Sequence, residues 1–254
     1  MTSIRTTFDL IRIQLARAFL AGSLLAVAAP AGVAQAVAPS AAAKPVHFVR
    51  TDTLDFAKIL PAPPEPGSMA AEADLNAVLQ VQAWRTPDEV AWAVRIDRVR
   101  SLSEFTDVIG PWFTDENLPQ TRSLLKAVVA DARGAVNASK KFFGRPRPFE
   151  ADPRVRPCVE KPDDPSYPSG HTIRFFLEAG VLSEIFPDKR DALLECAQKM
   201  AWGRVIGGVH YPTDLAGGRL LAAAIVAELD QSPAFEAALG KCRAEVGTFA
   251  AASK

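Results

Sequence analysis

The chain has 254 residues, enough for one large domain with a full core or at most two small ones. Its 29 basic and 29 acidic side chains cancel, so no global field draws it to nucleic acid or to a membrane surface. Apolar residues at 48% and charged residues at 23% exclude a disordered or fibrous chain.

The chain begins with Arg5, Arg12 and Arg17, followed by an uncharged apolar run from Ala18 to Ala29 and the small residues Ala34 and Ala36 around Gln35. That layout predicts a secretory signal peptide over residues 1–36, and a periplasmic or secreted location. The run is shorter than the roughly 20 apolar residues that a spanning helix needs, so stable membrane insertion is not expected. Residues 37–67 are rich in Ala and Pro and predict an extended lead-in with little regular structure. His47 lies in this stretch and reads as bland surface.

The helical domain is expected over residues 68–245. Ser68 opens a stripe at Leu75, Val78 and Leu79, and Thr86-Pro87-Asp88-Glu89 opens a second helix carrying Val90, Val94 and Ile96. Past Pro119 a third helix places Leu124, Leu125, Val128, Val129, Ala132 and Val136 on one face and runs toward Lys140. Seven prolines between residues 144 and 170 then predict a long, stiff, irregular loop. Helical periodicity resumes over Thr172–Ile185, Asp188–Trp202 and Pro212–Leu229. No segment alternates as a strand does, so the fold class is all-α, a single-domain helical bundle. Cys158, Cys196 and Cys242 are odd in number and fit no zinc-binding spacing; a Cys196–Cys242 bridge stays open, and all three read as structural.

The chemistry-bearing residues cluster between positions 140 and 214. Two of the three histidines, His171 and His210, each sit beside glycine at the start of a helix. Ser169-Gly170-His171 offers a capping hydroxyl and free backbone N–H groups, a layout that suits an anion as well as a plain helix cap. Lys140, Arg147 and Arg204 are cations that would repel one another at one point unless an anion joined them, and phosphate suits their donors. Lys141, Arg145, Arg154 and Arg156 read as solvated or rim charges. Asp214 lies four residues past His210 in the first turn of a helix begun by Pro212, where it can fix one imidazole nitrogen and leave the other as a nucleophile, cap the helix, or do both.

Lys140 with Arg147-Pro148, then Pro168-Ser169-Gly170-His171, then Arg204 with His210 and Asp214 together resemble the three-part motif of the type 2 phosphatidic acid phosphatase superfamily: Lys-x6-Arg-Pro, Pro-Ser-Gly-His and Ser-Arg-x5-His-x3-Asp. Gly203 stands where the superfamily usually has Ser. The signal peptide, the chain length and Gly208-Val209-His210 look like the bacterial class A non-specific acid phosphatases, although Tyr167 replaces a Cys common before the second motif. The resemblance implies a helical bundle of the acid phosphatase and vanadium haloperoxidase type. It implies hydrolysis of small phosphate monoesters through a phosphohistidine on His210, oriented by Asp214, with His171 as general acid. Lys140, Arg147, Ser169, Gly170 and Arg204 would hold the phosphate, and neither a metal nor another cofactor is expected. A homodimer is compatible with the likeness. The alternatives within the superfamily are a vanadium-dependent haloperoxidase and a lipid phosphate phosphatase.

Overall fold

The computed structural model describes residues 47–51 and 54–252, so the expected signal peptide and the first part of the lead-in lie outside the described residues. The described residues contain helices and no strand. They open with a short turn of helix α1 (Phe56–Ile59), followed by α2 (Met69–Trp84), α3 (Pro87–Arg98), the single turn α4 (Thr106–Ile109), α5 (Pro119–Phe143), the single turn α6 (Pro148–Ala151), α7 (Gly170–Ile185), α8 (Arg190–Ile206), α9 (Pro212–Leu229) and α10 (Pro233–Ala252).

The long helices start where the sequence supplies caps. Ser68 accepts from the backbone N–H of Ala71 at 3.1 Å, and Thr86 forms a reciprocal capping box with Glu89. Helix α5 ends at Gly144, whose left-handed φ of 59° releases the chain toward the proline-rich loop. Helix α7 is buried nearly all round, as befits an element enclosed by others. It packs against α5, α8, α9 and α10 and so forms the axis of the bundle. Gly218 makes the approach of α9 to that axis possible: a Cβ there would fall 2.8 Å from the Ser169 carbonyl oxygen. The Ser169 backbone N–H in turn donates to the Asp214 carbonyl at 3.0 Å, tying the starts of α7 and α9 together.

Several expectations need correction. The lead-in has little regular structure, as expected, but it is anchored: Thr51, Phe56 and Leu60 are buried, and the backbone N–H groups of His47, Phe48 and Val49 all donate to the carboxylate of Asp131 on α5. The Ala/Pro composition hid these few anchoring residues. The proline-rich loop is irregular as expected, yet it contains α6, which starts at Pro148, where a missing N–H costs nothing. Helix α8 continues to Ile206, which places Arg204 in a helical last turn rather than in a loop. The final helix α10 extends past residue 245 to Ala252; its Phe235, Leu239, Cys242 and Val246 join the core at 3–4 residue spacing. All three cysteines are free, so the Cys196–Cys242 bridge does not form.

Candidate active site

Four of the segments that meet at the site are helix ends. The C-terminus of α5 brings Lys140, and the N-terminus of α7 brings Ser169, Gly170 and His171. The last turn of α8 brings Arg204, and the N-terminus of α9 brings Asp214 just after His210. Between them, the proline-rich loop supplies Arg147.

Asp214 is fully buried and holds the centre of the network. Its Oδ2 accepts from the Tyr211 backbone N–H at 2.8 Å and from the Ser166 hydroxyl at 2.5 Å, and lies 3.2 Å from His210 Nδ1. It therefore both caps α9 and orients His210. With Nδ1–H donated to Asp214, the Nε2 lone pair of His210 is left over, and Arg147 Nη1 stands 3.2 Å from that atom. Burial, reinforced by Arg147, Lys140 and Arg204, holds the His210 imidazole well below its ordinary range, so it is neutral in this pocket. Burial also raises Asp214 above the usual carboxylate range against the opposing pull of Arg145.

Arg145 overturns its reading as a solvated or rim charge. It is buried, with one guanidinium nitrogen 2.6 Å from Asp214 Oδ1 and the other 2.8 Å from Asp74 Oδ2. The guanidinium lies 3.9 Å from the centre of the Tyr211 ring. Asp74 also binds Thr213 through its backbone N–H at 3.3 Å and through its hydroxyl. Arg145 thus props the back of the His210–Asp214 pair. No motif spacing marks Asp74, some seventy residues upstream, and only its polar character inside an otherwise apolar stripe of α2 hinted at it.

Each of the three cationic phosphate-binding candidates has a carboxylate partner. Asp164 in the loop contacts both Arg147 Nη2 at 2.5 Å and Lys140 Nζ at 3.2 Å, and Lys140 also donates to the Pro165 carbonyl. Burial and the neighbouring Arg147 push the Lys140 ammonium down to about 8. Arg204 is buried and pairs with Asp97 at the end of α3. Its Nε has no hydrogen-bond partner among the described residues, an unmet donor in a cationic pocket. The Asp97 carbonyl lies 3.2 Å from His171 Nε2, and Arg100 Nη2 lies 3.0 Å from the same nitrogen. Sequence reasoning missed Asp97, Arg100 and Asp164, because each lies outside the three motif blocks.

His171 lies between a carbonyl that accepts a proton and an arginine that supplies one. Burial and the charges of Arg204, Arg100 and Arg174 hold it well below its ordinary range. The Ser169 hydroxyl accepts from the Thr172 backbone N–H at 3.3 Å, capping α7, and Gly170 packs close to Lys140: a Cβ there would lie 3.8 Å from Lys140 Cε. Gly203 has a steric explanation too, since a Cβ would stand 3.0 Å from the Trp92 ring, and a serine would crowd it. Among the described residues no group of three or more His, Cys, Asp or Glu side chains is placed to hold a metal ion, and no helix is long and apolar enough to cross a membrane.

A helical bundle whose helix ends gather two histidines, an aspartate and three cations defines a phosphatase of the PAP2 type. The sequence profile of the PAP2 superfamily matches residues 123–233. A non-specific acid phosphatase of Providencia stuartii is 30% identical over 78% of this chain and 84% of its own length, and one of Salmonella typhimurium (strain LT2) is 32% identical over 74% and 78%. The crystal structure of a bacterial vanadium-dependent iodoperoxidase shares the fold with a TM-score of 0.54 at 19% identity, over 70% of this chain and 54% of that one. The chain belongs to the bacterial non-specific acid phosphatases of the PAP2 superfamily.

Replacing Arg145 with Ala would leave Asp214 and Asp74 buried and uncompensated. The variant is expected to lose about 3–5 kcal/mol of stability in urea unfolding, along with most turnover. Unchanged stability would refute the bracing role.

Proposed function

We propose that this chain is an exported acid phosphatase that hydrolyses phosphate monoesters of broad structure through a phosphohistidine on His210, without a metal. The observation that carries the reading is the buried His210, whose Nδ1 is held 3.2 Å from Asp214 while its Nε2 faces the guanidinium of Arg147. A neutral imidazole with one nitrogen anchored presents the other as a nucleophile.

In the proposed reaction Nε2 attacks phosphorus, and the bond to the ester oxygen breaks. His171 gives its proton to that oxygen, which leaves as the alcohol. A water then attacks the phosphohistidine, His171 takes up its proton, and inorganic phosphate leaves with His210 restored. Lys140, Arg147 and Arg204, with the Ser169 hydroxyl and the Gly170 N–H, hold the equatorial oxygens. These donors, not a metal, supply the charge stabilisation. The phosphate would share or displace Asp164 on Lys140 and Arg147 and would satisfy the free Nε of Arg204.

The pH dependence follows from His171. Burial and the surrounding cations depress its proton affinity, and a bound phosphate offsets those cations and raises it. The acid is therefore loaded in the complex at low pH, and kcat falls as pH rises through the His171 value in that complex. A chelator is expected to leave the rate unchanged, and His171→Asn to remove the falling limb. His210→Ala is expected to lose turnover by at least about 10³-fold while still binding inorganic phosphate. A flat rate from pH 5 to 9, inactivation by the chelator or an active His210→Ala would contradict the mechanism.

Export rests on the basic start, the apolar run and the small residues before position 36. Amino-terminal sequencing of protein recovered outside the cytoplasm is expected to begin just past Ala36, and an intact leader on that protein would contradict cleavage.

A further inference from the structure

The acid that protonates the leaving oxygen must touch it, so the alcohol part of the substrate occupies whatever space His171 lines. That space is a cleft of about 240 Å³ between α5 and α7. Gly170 and His171 lie at one end, and Val129, Ala132, Val136, Ile173 and Leu177 supply apolar wall. Three arginines also line it: Arg100, Arg133 and Arg174.

These arginines are not equivalent. Arg174 is buried and already neutralised, 2.8 Å from Glu104 Oε2 and 3.1 Å from Glu178 Oε2. Arg100 has no carboxylate partner among the described residues and donates to the carbonyls of Asp97 and Val99 and to His171. Arg133 is exposed on α5 and pairs with no carboxylate among the described residues. It lies seven residues before Lys140 on the same helix, which is two turns, or about 10 Å along the axis. The cleft thus joins His171 and the Arg100 that contacts it, apolar wall from α5 and α7, and the exposed Arg133.

We infer that Arg133, exposed on the wall of this cleft, anchors a second anion subsite for the leaving group, so that the enzyme prefers phosphate monoesters whose alcohol carries another phosphate or carboxylate. This rests on the phosphatase reading and narrows it from monoesters in general to doubly anionic ones. The apolar wall suits the sugar face or aromatic ring that spaces the two charges.

The test compares 4-(carboxymethyl)phenyl phosphate with its methyl ester, a pair matched in shape and in leaving oxygen but not in distal charge. At low ionic strength the free acid is expected to show a kcat/KM about five- to tenfold higher, carried mainly by KM, with the ratio shrinking in high salt. In Arg133→Gln, an exposed substitution that the fold tolerates, the ratio is expected to approach one. Equal rates for the two esters in the wild type, or a preference that Arg133→Gln does not move, would overturn the subsite and leave the phosphatase reading standing. Failure to release phosphate from either ester would overturn both readings.

Discussion

The structure depends on how it keeps like charges together without an occupant. Lys140, Arg147 and Arg204 are all nearly excluded from solvent, and buried cations at close quarters repel strongly. Each is met by a carboxylate from elsewhere in the chain: Asp164 on Lys140 and Arg147, Asp97 on Arg204. Behind them Arg145 joins Asp214 to Asp74. Opposite charges interleave from the back of the pocket to its mouth, so the cations are positioned before a phosphate arrives. That prior ordering is what electrostatic catalysis requires, because little reorganisation remains to be made when charge develops on the transferring group.

The same arrangement sets the two histidines apart. His210 has a carboxylate on one side and a guanidinium on the other, a setting that fixes its tautomer and keeps it neutral. His171 lies among Arg204, Arg100 and Arg174, with the Asp97 carbonyl 3.2 Å and the Asp97 carboxylate 3.6 Å from its Nε2. The proposed mechanism uses this difference, with His210 as nucleophile and His171 as the acid. The difference comes from neighbours, since the side chains are identical.

Most of the helical frame was legible in the sequence, because long amphipathic stripes with caps at Ser68 and Thr86 and a stop at Gly144 carry strong local signals. The residues of the three motif blocks could be read as one constellation because each block pairs a reactive side chain with Gly or Pro. What escaped is non-local. Asp74, Asp97 and Asp164 are single acidic residues on other elements, and nothing in their immediate surroundings shows that they face Arg145, Arg204 and Lys140. Arg145 resembled its exposed neighbours in composition, and only the return of the loop past the start of α9 buries it. The lead-in carries the same lesson: its Ala/Pro composition gave no sign that the backbone of residues 47–49 is held by a single carboxylate on α5.

The central claim is that phosphate passes through His210 on its way to water or to an alcohol. The stereochemical course at phosphorus tests this most directly, using an ester made chiral by oxygen isotopes and an acceptor alcohol to receive the group. Two successive in-line displacements predict net retention of configuration. Net inversion would mean a single direct transfer, and His210 would then not be the nucleophile.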